Sequence, residues 1–296
     1  MDCQATLQRE FDYIFGFSET IDSLDKNEDV WTKNAKKSIE NRVIGNVHDL
    51  CRVKQDTEFY HKTLLFYTRS IAFAPADSEE LAKGYSDRSD LLLYLSHFEK
   101  SLVDIDRALK ISKDEELKEK LIARRRTCLT LLNDHPEIQE RRIKRPVIHE
   151  YSKEIPSASE SVTLEYDETI GSHLVATRDI EVGEIVIIEK ENAAFLQPSE
   201  MYINCAHCLN FTLNALPCES CPFAVYCNKE CKEAAWKKYH DMECPMLRYF
   251  YYYLIAEEKQ IINFVLASKI IITALKREGL QSLVEEMNNI NEKSGE

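Results

Sequence analysis

The chain has 296 residues, enough for about two domains and a small module, with 38 basic against 51 acidic side chains and a net charge of −13. That acidic balance is spread along the chain and opposes non-specific binding to DNA or RNA. The opening MDCQATLQREFDYIF places Asp2, Arg9 and Glu10 where a secretory signal needs a basic start and an apolar run, so no signal is expected there.

Residues 1–134 are helical in pattern. Glycine is nearly absent (Gly16, Gly45, Gly84) and apolar residues recur at three- and four-residue steps. A repeat is visible: Thr63, Tyr67 and Ser70 precede Pro75, and about 38 residues later Ser101, Ile105 and Ala108 precede Lys113. Tyr85, Ser89 and Leu92 sit where a preceding helix packs against the second copy. Small and medium residues at these steps let two helices of a hairpin approach closely, and a proline ends the second helix. This pattern is similar to tetratricopeptide repeats, and Lys118 to Leu132 supplies the first helix of a third unit. A generic helical bundle accounts for the same spacing.

Residues 135–161 read as a linker or a loosely attached strand, with Pro136, Pro146 and Pro156 and the basic run Arg141 to Arg145. The run reads first as solvated linker charge and second as a nuclear import signal. From Val162 the composition turns to short β-rich pieces, VTLEY, HLVAT, EIVIIEK and AAFL, broken at Gly171 and Gly183.

Residues 201–247 hold the strongest signal. Cys205, Cys208, Cys218, Cys221, Cys227, Cys231, His240 and Cys244 follow the spacing C-x2-C-x9-C-x2-C-x5-C-x3-C-x8-H-x3-C. Eight potential ligands divide into two sets of four, which is what two tetrahedral, structural zinc ions require. The segment has too few apolar runs to fold alone, so metal binding supplies its folding free energy. Spacing leaves open whether the sets are sequential or interleaved. A disulfide framework needs an oxidising compartment; with Cys3, Cys51 and Cys128 as the other, widely spread cysteines, a reduced chain in cytoplasm and nucleus fits better. Those three read as ordinary buried thiols. Charges within the cluster nearly balance, which disfavours a nucleic-acid-reading finger. Residues 248–296 are helical in pattern; their apolar stretch from Ile261 to Leu275 is interrupted by Lys269 and too short to span a bilayer comfortably, so no membrane association is expected.

The run GSHLVATRDIEVGEIVIIEKENAAF from Gly171 resembles the opening strands of a SET domain, the fold of protein-lysine methyltransferases. The cysteine cluster shortly after it is similar to the insertion that defines the SET–MYND family, and the repeats ahead resemble the branch with N-terminal tetratricopeptide-like units. The fold this implies is mainly α with a small β part: helical repeats (1–134), a linker (135–161), the front of SET (162–200), a two-zinc MYND module (201–247) and the helical SET insert (248–296). The resemblance also implies interleaved binding, with Cys205, Cys208, Cys227 and Cys231 on one zinc and Cys218, Cys221, His240 and Cys244 on the other. His207 is then a bystander, and Tyr226 packs around the metals.

Further implications follow from the family. Trp236 and the repeats would contact partner proteins or peptides, although Lys232 stands where related modules carry a glutamine. Gly171 would approach the cofactor S-adenosylmethionine, with His173 in the position of a second family glycine; a plain turn glycine is the other reading. The family's Asn-His cofactor motif is absent from these residues, and Tyr249, Tyr251, Tyr252 and Tyr253 match no catalytic motif, so no catalytic residue is assigned. The expectation is the front portion of a methyltransferase; the alternative is a non-catalytic zinc-binding adaptor.

Overall fold

The computed structural model describes residues 32–50, 57–134, 146–189, 191, 193–247 and 259–279. Cys3, Cys51, the basic run 141–145 and the tyrosines 249–253 lie outside the described residues. The described residues are mainly helical, with two small antiparallel sheets among them.

Among the described residues, five helices come first: α1 (Ala35–Asp49), α2 (Thr57–Phe73), α3 (Glu79–Tyr94), α4 (Phe98–Ile111) and α5 (Glu115–Asp134). Their starts are set by side-chain caps, which satisfy backbone N–H groups that have no helical partner. Asn34 accepts from the Lys37 N–H, Ser78 from Leu81 and Asp114 from Leu117. α2 stops two residues before Pro75, as the restriction on the residue ahead of a proline requires. α1 packs on α2 and α3 on α4 as successive hairpins, with α5 against α4. Every repeat position singled out above is buried: Thr63, Tyr67 and Ser70; Tyr85, Ser89 and Leu92; Ser101, Ile105 and Ala108. The buried hydroxyls are paired across the hairpins, Ser70 donating to the Ser38 carbonyl and Ser101 to the Ser89 carbonyl.

Two glycines permit the closest approaches. A Cβ on Gly45 would stand 2.6 Å from the Tyr67 ring, and one on Gly84 2.9 Å from Ile71.

The described residues within 139–192 form a compact unit of their own. Within it β1 (Val162–Asp167) pairs antiparallel with β2 (Gly171–Ala176), in the register Val162 opposite Ala176 through Asp167 opposite Gly171. The Asp167 carboxylate accepts from the Thr169 N–H at 2.7 Å and so shapes the turn, and Gly171 leaves it at φ +74°. Residues 146–161 do not trail freely. Tyr151 bridges Ser159, and the Thr177 N–H donates to the Ser161 carbonyl.

EIVIIEK and AAFL, expected as strands, do not form strands among the described residues. Ile187 makes one isolated bridge to Ala158, because its partner segment is already bent by the hydrogen bond from the Ala158 N–H to the Ile155 carbonyl. Phe195 and Leu196 of AAFL pack against the core below the cysteine cluster instead of joining a ladder.

The described residues within 32–134 and 193–279 belong to one compact unit. Here lie β3 (Leu216–Pro217), its antiparallel partner β4 (Val225–Tyr226), α6 (Lys229–Ala235), a π-helical turn at Trp236–His240 and a helical continuation at 241–247. The apolar stretch of the C-terminal part forms α7 (Lys259–Glu278). One core joins them: Ala72 and Phe73 from α2, Met201, Tyr202, Phe223, Val225 and Tyr226 from the cysteine-rich segment, and Ile272 from α7. No helix among the described residues is long and apolar enough to cross a membrane.

Candidate metal centre

Each donor is aimed by its own short element. Cys205 and Cys208 flank a tight turn closed by the Leu209 N–H on the Cys205 carbonyl, with Leu209 in the left-handed region at φ 60°. The Ala206 N–H donates to the Val225 carbonyl at 2.8 Å, which fastens this turn to β4 and brings Cys227, just beyond β4, alongside. Cys218 follows β3, and its N–H is held by the Ala224 carbonyl at 2.8 Å. Asn228 caps α6 by accepting from the Cys231 N–H at 2.8 Å, fixing the start of the helix that carries Cys231.

The π-helical turn is the device that spacing did not show. Such turns insert one residue into a helix and are frequent at functional sites. Here the turn ends on His240, and the helix continues to Cys244 four residues on, so both donors lie on one face. The Tyr239 hydroxyl donates to the Ala206 carbonyl at 2.8 Å, tying this turn to the first cysteine pair.

The eight donors gather into two groups of four, Cys205, Cys208, Cys227 and Cys231, and Cys218, Cys221, His240 and Cys244, each with all donor atoms within 4.8 Å of one another. The grouping is interleaved along the chain. Individual separations are 3.7 Å for the Cys208 and Cys227 sulfurs, 3.9 Å for Cys218 and Cys244, and 3.6 Å and 3.3 Å from His240 Nε2 to Cys221 and Cys218. A tetrahedron of sulfurs about 2.3 Å from zinc has edges of roughly 3.8 Å, so the spacing suits that ion.

The electrostatics call for a cation. Burial, then the neighbouring thiols of its group, pushes Cys227 well above the ordinary thiol range, and burial pushes Cys231 up to about 12. In the other group, hydrogen bonding with Cys218 and Cys244 and then burial hold Cys221 well up, while hydrogen bonding with Cys221 and Cys244 holds Cys218 far down against its burial. Seven crowded thiols cannot all ionise without a counter-charge, and two dications supply it.

The surroundings sort the remaining expected residues. His207 belongs to neither group, and its ring stacks on Tyr239 at 6.0 Å. Tyr226 is fully buried, edge-on to His240 at 5.9 Å. Trp236 contacts His240 with one edge yet stays 46% exposed. Lys232 reaches Glu219 at 2.7 Å. Gly171 lies in the separate β1–β2 unit, where a Cβ would meet nothing within 4 Å.

Two groups were not anticipated. Glu243 accepts from His240 Nδ1 at 3.0 Å, and Lys269 of α7 stands 3.5 Å from the other Glu243 oxygen and 4.1 Å above the Tyr239 ring. The His-x-x-Glu spacing on one helix face was the available signal for the first. An isolated lysine inside an apolar helix was the signal for the second.

The family profile of the MYND finger matches residues 205–244. Among curated proteins the chain is similar to the protein-lysine N-methyltransferase SMYD4 of Pongo abelii, 26% identical over 254 aligned residues that cover 63% of this chain and 32% of that protein. The Gallus gallus counterpart is 27% identical, with 63% of this chain and 34% of that protein covered. The SET domain and MYND-type zinc finger protein 6 of Schizosaccharomyces pombe is 30% identical over 78 residues, covering 26% of this chain and 16% of that one. The chain thus spans about a third of the length of the first relatives it matches. No solved structure matches it.

Proposed function

Because the chain belongs to the SET and MYND domain-containing family, we propose that residues 205–244 bind two structural zinc ions and present a protein-interaction surface at the front of a SET-type lysine methyltransferase. The carrying observation is the gathering of eight donors into two interleaved groups of four inside the stretch that matches the MYND finger. Cys205, Cys208, Cys227 and Cys231 hold one ion; Cys218, Cys221, His240 and Cys244 hold the other. Both groups are complete with protein donors and leave no open position, which is the form of a structural and not a catalytic zinc site.

The interaction surface centres on Trp236. An exposed indole offers a flat apolar face to an extended, proline-containing peptide. Lys232, held by Glu219, gives that surface a charged rim in place of the family's amide. The helical hairpins, which carry the tetratricopeptide-like signature, offer a second surface for partner proteins.

Methyl transfer from S-adenosylmethionine belongs, on this reading, to the whole SET domain whose opening is the β1–β2 unit. Gly171 supplies an open backbone position on it for the cofactor. Metal analysis of the purified chain tests the first part of the proposal and should return two zinc ions; none would sink it. Trp236→Ala should abolish capture of proline-containing peptides without loss of zinc. The 296-residue chain alone is expected to transfer no methyl group to lysine peptides, and measurable turnover would overturn that assignment.

A further inference from the structure

Lys269 interrupts an apolar helix and is buried, with 6% of its surface exposed. An ammonium group in such a place needs a partner, since an unpaired buried charge is strongly destabilising. The partner is Glu243, itself 6% exposed, whose two oxygens divide their work. One faces Lys269 Nζ at 3.5 Å and the other faces His240 Nδ1 at 3.0 Å. His240 Nε2, on the opposite edge of the ring, points into the group formed with Cys218, Cys221 and Cys244.

We infer that Glu243 and Lys269 are positioning residues for the second metal, coupling the docking of α7 to zinc retention at the Cys218, Cys221, His240 and Cys244 group. The inference rests on the zinc reading above. A carboxylate that accepts from Nδ1–H fixes the tautomer with its lone pair on Nε2, and it orients the ring toward the metal. Lys269 holds that carboxylate in place. Without the ammonium, Glu243 is free to turn away, and the hold on Nδ1–H is lost. Lys269 in turn is delivered by α7, which Ile272 seats in the finger's core and which Lys276 pins to the Asp241 carboxylate and the Lys237 carbonyl. The first group, Cys205, Cys208, Cys227 and Cys231, has no histidine and no such relay. The two ions should therefore answer differently to changes in α7.

The test follows zinc transfer from the whole, zinc-loaded chain to a chromogenic chelator, with cobalt-substituted protein to tell the three-sulfur, one-nitrogen site from the four-sulfur site by absorption. Glu243→Ala should speed release of one ion by about 10–100-fold and leave the other at the wild-type rate. Glu243→Gln keeps an acceptor for Nδ1–H and should fall between. Lys269→Met should accelerate the same ion, and Lys269→Arg should restore retention. If Glu243→Ala fails to fold, the Lys269→Met and Lys269→Arg pair carries the test by itself. Wild-type release rates for both ions in the variants, or equal acceleration of both, would overturn the relay. A wild-type chain that binds no zinc would instead sink the zinc reading on which it rests.

Discussion

Arg88 and Asp104 form an ion pair with no solvent exposure on either side chain, closed by two hydrogen bonds of 2.7 Å and 3.0 Å. The pair is also a joint. Arg88 donates onward to the Thr68 hydroxyl on α2 and to the Ala215 carbonyl just before β3, while Arg107 links Asp104 to the Asn214 carbonyl. The helical hairpins therefore supply donors for two backbone acceptors of the metal-binding segment.

Removing one member of this pair should be costly. Arg88→Met leaves a buried carboxylate with Arg107 as its one remaining cation among the described residues and removes a donor from the Ala215 carbonyl. We expect a loss of about 3–5 kcal/mol in urea unfolding. The double variant Arg88→Met/Asp104→Leu should recover part of it, because no unpaired charge then remains. A cost below about 1 kcal/mol for the single variant would show that the pair is not the joint described.

The same joint governs what metal removal does. A metal-dependent finger separated from its neighbours by a flexible boundary would melt alone on chelation. Here Phe73 of α2 meets Phe223 edge-on at 6.2 Å, and one core runs from α2 through the finger to α7. Stripping zinc, or replacing Cys218 by Ser, should therefore lower amide hydrogen-exchange protection in α2 and α3 as well as in residues 205–244. Unchanged protection in α2 and α3 would return the finger to an autonomous module.

Much of this was legible because ligand spacing and helical periodicity are local signals. The eight donors could be read from the sequence by chemistry alone, and the repeat positions from Thr63 to Ala108 are all buried. Their interleaving was not legible from spacing, which suits either pairing; the resemblance supplied it, and the structure groups the atoms that way. What sequence hid were contacts between distant segments. Nothing near Arg88 announces Ala215, 127 residues on, and nothing near Glu243 announces Lys269. The failed strand at EIVIIEK has a related cause: β-propensity marks residues that suit a sheet, but a ladder needs a straight partner, and the segment around Ala158 is bent.

Cys128 illustrates a thiol that is present but silent. It is fully buried on α5, its sulfur 3.4 Å from the Ser101 hydroxyl, and burial pushes it above the ordinary thiol range despite that hydrogen bond. A raised value in the fold favours the protonated form. Its contribution to stability is therefore complete below the unfolded thiol value, and it is lost as pH rises from that value through the folded one. At pH 8 Cys128 should resist alkylation in the native chain and react once the chain is unfolded by denaturant. Peptide mapping after a timed iodoacetamide pulse reads this directly; rapid native labelling of Cys128 would contradict the burial.

Gly45 tests the close packing of the first hairpin. Alanine is the better helix former by about 1 kcal/mol, so on propensity alone Gly45→Ala should stabilise α1. Its Cβ would stand 2.6 Å from two atoms of the Tyr67 ring, well inside contact distance. That ring cannot simply step aside. Tyr67 is 1% exposed, and its hydroxyl donates to Asn46 Oδ1 at 3.0 Å, so yielding means repacking the core or breaking that bond. Overpacking of this kind costs about 1–3 kcal/mol, which outweighs the propensity gain. Gly45→Ala should therefore destabilise the chain in urea unfolding, and the same change made in a Tyr67→Leu background should cost far less. A stabilising Gly45→Ala in the wild-type background would mean that α1 and α2 do not approach each other at this point.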